Sequence, residues 1–122
     1  MITKQIMVAG SKSQRQCEVL FDTGASTCFV REAIASELGQ ILKAPFPVAF
    51  KLGNKTVMRA EKTTDLFLDL RGHHISSMFL VIPELPYEVI VGADFFQKWK
   101  IKLDPAREDF IIDEKALEIM LV

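Results

Sequence analysis

The pentapeptide Asp22-Thr23-Gly24-Ala25-Ser26 contains the residues best suited to chemistry in this chain. It follows directly on the apolar run Val19-Leu20-Phe21, which predicts a buried strand. A carboxylate that a strand delivers to a tight glycine-containing turn is fixed by the backbone where a substrate can approach closely. Asp22 is therefore a candidate catalytic group. Because Asp-Thr-Gly is also a common turn sequence, the tripeptide alone leaves an ordinary turn open.

A second apolar run, Val89-Ile90-Val91-Gly92, ends in glycine and is followed at once by a predicted short helix, Ala93 to Trp99. Together with Asp-Thr-Gly, this segment resembles the retropepsin-like aspartic proteases, which are the retroviral proteases and their retroelement, bacterial and eukaryotic relatives. The match runs from about Ile6 to Ile112. The resemblance implies an all-β acid-protease half-barrel with a flap hairpin, in which the two apolar strands lie together in the core.

Periodicity predicts strands over most of the chain. Ile2 to Val8 and Arg15 to Phe21 flank a polar turn, and the alternating residues 65–70 precede a second apolar strand, Ile75 to Ile82. Arg31 to Leu38 is predicted to be a short helix that ends at a glycine. The predicted class is all-β with two short helices.

Composition indicates one ordinary domain. With 122 residues, of which 49% are apolar and 25% charged, the chain can bury one modest core, so residues 1–122 are predicted to form a single domain. A net charge of -1 and a pI of about 6.1 give no reason to expect nucleic-acid binding. Neither a membrane span nor a signal-peptide pattern is evident, so the expectation is no membrane partner and a cytoplasmic location.

The cysteines and histidines predict neither a metal site nor a cofactor. Cys17 and Cys28 are predicted to be reduced thiols, with a disulfide between them as the less favoured alternative. His73 and His74 lie beside a glycine between two predicted strands, which favours a solvated turn. No further ligand recurs at a metal-binding spacing.

The resemblance also assigns a flap. Apolar residues flank Gly53-Asn54, a pair that suits a two-residue hairpin turn, and a plain surface hairpin is the alternative. In similar proteases, the hairpin between the aspartate turn and the second apolar strand folds over bound substrate. Carried over, its tip would be formed by Leu52, Gly53, Asn54 and Lys55, as substrate-binding residues. Retroviral flaps have several glycines, whereas this segment has one.

The chain has one Asp-Thr-Gly and no Asp-Ser-Gly, although a retropepsin-type site needs two facing aspartates. The resemblance therefore implies a two-fold homodimer in which each copy supplies one Asp22. The expected function is an aspartic endopeptidase that hydrolyses peptide or protein substrates. By the same resemblance, Thr23 would hydrogen-bond across the axis, the Gly24 carbonyl would accept from substrate, and Ala25 and Ile90 would border the side-chain pockets.

One pair of positions departs from the retroviral pattern. Retroviral enzymes commonly carry a pairing Asp and Arg where this chain has Ser26 and Ala93, which predicts a neutral contact between these positions. The apolar run Leu117 to Val122 predicts a terminal strand that packs either on its own core or in the dimer, with Ile2 to Val8 as a possible partner.

Two further readings of the chain stay open. One is a catalytically silent dimeric module of the same fold that binds peptides or acts as a scaffold. The other is a protease segment of a longer precursor.

Overall fold

The computed structural model describes residues 1–51 and 57–121. Within them, no helix has the length and apolar character that crossing a membrane requires. The described elements are β1 (Ile2–Ala9), β2 (Gln14–Phe21), β3 (Phe29–Arg31), α1 (Glu32–Leu38), β4 (Leu42–Lys51), β5 (Val57–Leu70), β6 (His73–Ile82), β7 (Val89–Val91), α2 (Ala93–Trp99), β8 (Lys102–Asp104), β9 (Asp109–Ile111) and α3 (Glu114–Met120).

Most strands belong to one sheet that curls back on itself. Its order is β1-β2-β7-β3-β6-β5-β4, and β1 also pairs with β5 through Val8 with Leu68 and Ala9 with Phe67. Six strands therefore close on themselves, and β4 lies outside them against β5. β7 runs parallel to β2 and antiparallel to β3, so it is inserted between the two strands that flank the aspartate turn. The all-β prediction is confirmed.

Strand alternation creates the main core. Leu66, Leu68 and Leu70 of β5 are fully buried, whereas Phe67 between them is 48% exposed, which confirms the predicted period of two. Both predicted hairpins are present. Arg71 and Gly72 connect β5 to β6 with φ angles of 53° and 87°, as a two-residue hairpin turn requires. α1 and α2 confirm the two predicted helices.

The prediction of a C-terminal strand is wrong, because these residues form the helix α3. The Asp113 side chain caps it by accepting from the Ala116 N–H at 3.1 Å. Leu117 is fully buried and Met120 is partly buried against the main core, whereas Ile119 is 77% exposed. An unbroken apolar run has no periodicity that separates strand from helix, so the cap and the spacing of the buried residues decide the outcome. The described chain thus has a third helix.

The histidine prediction needs a smaller correction. The turn consists of Arg71 and Gly72, and both histidines lie in β6, where His73 pairs with Leu70 and His74 with Asp69. His73 Nε2 also contacts the Glu114 carboxylate at the start of α3, while His74 is exposed. His73 therefore links the barrel to the C-terminal helix.

Cys17 and Cys28 are free thiols, as predicted, and both are fully buried. Burial raises the pKa of the Cys17 thiol to about 11 and that of the Cys28 thiol to about 12. Both side chains therefore pack as neutral, small apolar groups at physiological pH.

The docking of α3 generates a first prediction. Leu117→Ala should lower the free energy of unfolding by about 2 to 5 kcal/mol, because it leaves a cavity in the main core. Ile119→Ala, two residues away on the exposed side of the same helix, should change it by less than about 0.5 kcal/mol. Urea denaturation of both variants measures these values. Equal losses would contradict the assigned buried face.

The buried thiols generate a second prediction. Their ordinary pKa is 9.0, so above pH 9 the unfolded chain releases the thiol protons while the folded chain still holds them. The stability that the neutral thiols contribute is full below that pH and is lost as the pH rises toward 11 to 12.

The test compares wild type with the double variant Cys17→Ala, Cys28→Ala in urea denaturation at about pH 8 and about pH 10.5. Wild type should lose more unfolding free energy between the two pH values. Lysine and tyrosine titration is common to both proteins, so it cancels in the comparison. Equal losses would show that the thiols ionise alike in the folded and unfolded chains.

Candidate active site

The predicted catalytic residues form one turn at the end of β2. The Asp22 N–H donates to the Val91 carbonyl of β7 at 3.0 Å, and the Asp22 carbonyl accepts from the Ala25 N–H at 3.1 Å. Asp22 Oδ1 accepts from the Gly24 N–H at 2.9 Å. Asp22 is partly buried, whereas Thr23 and Gly24 are exposed. Two main-chain hydrogen bonds thus fix the Asp22 backbone, and one hydrogen bond from the Gly24 N–H orients its carboxylate at the surface of the chain.

A buried row of side chains lies on one face of the sheet beside this turn. Cross-strand pairing places Ile90 of β7 opposite both Leu20 of β2 and Phe29 of β3, and Leu80 of β6 opposite Phe29. We call these four residues the floor. Their neighbours along each strand point to the main core, so β7 is buried on both faces.

Asp22 lies two residues beyond Leu20, so the alternation of the strand directs it to the floor side. The buried cluster that contains the floor also contains Ala25. The structure therefore brings together two of the residues predicted to border substrate pockets, Ala25 and Ile90, next to the Asp22 turn.

The arms of the predicted flap are the paired strands β4 and β5, with Phe50 opposite Met58 and Lys51 opposite Val57. Phe50 and Ala60 are buried in the floor cluster, and the rings of Phe50 and Phe29 are 4.8 Å apart. The arms therefore cover the floor. The four predicted tip residues, Leu52, Gly53, Asn54 and Lys55, lie outside the described residues.

The start of α2 packs directly against residues 22–28, which we call the aspartate loop. At Gly92, a Cβ atom would lie 2.1 Å from the Thr27 carbonyl oxygen and 2.8 Å from the Ala25 carbonyl oxygen, so a side chain cannot be accommodated. The Ala93 N–H donates to the Ala25 carbonyl at 2.7 Å, and the Asp94 N–H donates to the Ser26 carbonyl at 3.2 Å. Main-chain hydrogen bonds thus join the two segments, and the neutral contact between Ser26 and Ala93 stays a prediction.

The side-chain link between the two segments lies one residue further along, between Thr27 and Asp94, neither of which was predicted as a site residue. The Thr27 hydroxyl donates to Asp94 Oδ2 at 2.7 Å. Asp94 Oδ1 accepts from the Phe95 N–H at 2.7 Å and from Cys28 Sγ at 3.7 Å. The sequence signal that could have identified this contact is the hydroxyl residue Thr27 directly after Ser26 and the carboxylate residue Asp94 directly after Ala93. Asp94 holds the loop that carries Asp22.

Acidic, histidine and cysteine side chains form no group of three that could hold a metal ion, within residues 1–51 and 57–121. The chemistry that this site offers is the acid–base chemistry of a carboxylate. A single copy of the turn presents one such group.

Comparisons with known proteins agree on the fold. The family described as "gag-polyprotein putative aspartyl protease" matches residues 8–98. The retroviral protease-like domain of Ddi1 from Leishmania major is similar at 18% identity and a TM-score of 0.70, covering 93% of this chain and 90% of that one. The EIAV protease complexed with the inhibitor HBY-793 is similar at 24% identity and a TM-score of 0.62, covering 84% and 90%. No curated protein sequence matches.

The two solved structures support the fold, and the family match covers both the aspartate turn and the segment from β7 to α2. The chain therefore belongs to the gag-polyprotein aspartyl protease family and has the retropepsin-like fold.

Proposed function

We propose that the chain is an aspartic endopeptidase that acts as a homodimer, with Asp22 of each copy as the catalytic carboxylate. The observation that carries the proposal is the set of hydrogen bonds that holds Asp22 in its turn. Main-chain hydrogen bonds from the turn itself and from β7 fix it, and the residues after it are exposed. Membership of the aspartyl protease family supports the same reaction type.

The dimer follows from the half-site. Each chain has one Asp-Thr-Gly turn, so a second carboxylate comes from a second copy. A two-fold axis beside the turn would bring each Asp22 to its own symmetry mate. Thr23 and Gly24 are exposed in the single chain and are therefore free to meet their counterparts.

In the proposed mechanism, one Asp22 carboxyl group acts as a base and its symmetry mate acts as an acid. Two carboxylates in contact share one proton, because ionising both would place like charges side by side. The ionised member removes a proton from a water molecule, whose oxygen attacks the peptide carbonyl carbon, while the protonated member donates to the carbonyl oxygen. Collapse of the tetrahedral intermediate breaks the C–N bond, and a carboxyl proton passes to the leaving amine.

The substrate in this proposal is an extended peptide segment that lies over the floor and under the flap. Main-chain hydrogen bonds would hold it as an added strand, with the Gly24 carbonyl as one acceptor. Ala25 and Ile90 would border the side-chain pockets, and residues 52–55 would close over it. An apolar floor favours apolar substrate side chains.

A first test removes the carboxylate. Asp22→Asn keeps the size of the side chain but can neither ionise nor accept the water proton, so cleavage of a denatured protein should fall at least about 100-fold. Asp65→Asn, which removes an exposed carboxylate on β5, should retain wild-type activity.

Comparable cleavage by Asp22→Asn would remove Asp22 from the proposed role. A wild type that binds a statine-containing peptide without cleaving any substrate would instead favour the silent peptide-binding module.

A second test mixes chains after unfolding and refolding together. With an about ninefold excess of Asp22→Asn chains, roughly one wild-type chain in ten pairs with another wild-type chain, so activity per wild-type chain should fall about tenfold. The same excess of Asp65→Asn chains should not lower it. Unchanged activity in the Asp22→Asn mixture would mean that one chain carries a complete site.

A further inference from the structure

The floor is covered within a single chain. Leu20, Phe29 and Ile90 are 5%, 0% and 3% exposed, even though they lie beside the turn where a substrate would have to bind. The cover comes in part from the flap arms, through Phe50 of β4 and Ala60 of β5, which belong to the same buried cluster. The floor beside the Asp22 turn is thus already covered by side chains of the chain itself.

Phe50 is the large group of this cover. Its ring lies 4.8 Å from the ring of Phe29, with the ring planes tilted by 50°, a favourable aromatic arrangement. Phe50 is 6% exposed, whereas Phe46, on the same strand, is 78% exposed. The backbone of Phe50 is held in register with Met58 of the other arm. The arm therefore places one aromatic ring directly on the floor.

A peptide bound as an extended strand directs alternate side chains toward the floor. One of them would reach a subsite on the floor at Phe29, where the Phe50 ring already lies. We infer that Phe50 sets the size limit of this subsite, so that it takes a side chain as small as that of Gly or Ala and rejects larger ones.

This inference rests on the proposed function, since it names the substrate preference of the same site. Its test is a binding measurement, which gives a result whether or not the protein cleaves. The probes are statine-containing peptides in which one position at a time carries Ala, Val, Leu or Phe. Calorimetry compares their affinities for wild type, Phe50→Ala and the matched control Phe46→Ala, which removes an exposed ring from the same arm.

For wild type, one probe position should favour Ala over Leu by about tenfold or more, the scale on which a pocket discriminates by size. Phe50→Ala should abolish or reverse that preference at the same position and leave the other positions unchanged. Phe46→Ala should keep the wild-type profile. Should Phe50→Ala fail to fold, Phe50→Leu provides the same comparison, with a smaller relaxation of the preference.

The inference is overturned if wild type accepts Leu and Phe at every position, or if the preference for Ala persists when Phe50 is shortened. It is also overturned if no probe binds wild type. Probe binding with the expected size profile but without cleavage would sink the endopeptidase proposal alone. Cleavage by wild type, together with the same size preference in wild type and Phe50→Ala, would contradict this inference alone.

Discussion

The close approach of Gly92 to the aspartate loop is the constraint on which the site depends. Two carbonyl oxygens of that loop lie within 3 Å of where a Cβ would be, so the backbone of β7 and α2 can touch the loop only at a glycine. That approach lets the first N–H groups of α2 bond to the loop carbonyls. It also brings Asp94 within reach of Thr27. The position of Asp22 is thus set by main-chain contacts and one charge-assisted hydrogen bond, and these do not depend on a bound substrate.

β7 is short but is buried on both faces, and each face packs in a different hydrophobic cluster. Val89 and Val91 point into the main core, which stabilises the barrel, while Ile90 points to the floor. Because β7 pairs with β2 on one edge and with β3 on the other, the floor lies on one continuous sheet, and the aspartate turn follows directly on its strand β2. The arms β4 and β5 contact the floor through Phe50.

The N-terminal segment forms a strand, as predicted, whereas the C-terminal segment does not. Ile2 to Ala9 is used along its length in pairing with β2, and the C-terminal residues form a helix that packs beside α2. Because these C-terminal residues form the helix α3, they do not supply the terminal strand that the sequence predicted. In the proposed dimer, the exposed Asp22 turn is one contact between the two copies. The mixing experiment tests that arrangement without assuming which further surfaces take part.

The sequence by itself determined β1, β2, β6, β7 and the second half of β5, together with two hairpins, the first two helices and the aspartate turn, because each depends on local periodicity or on turn residues. It also brought Asp22, Ala25 and Ile90 to one site through the resemblance of two short motifs. Only the tertiary structure decided that Leu117 belongs to a helix, that Asp94 binds Thr27, and that Phe50 lies on Phe29. These contacts join residues 21 to 67 positions apart, or depend on which face of a uniform apolar run meets the core. No local pattern specifies such pairings, because they arise from the order in which the strands close the barrel.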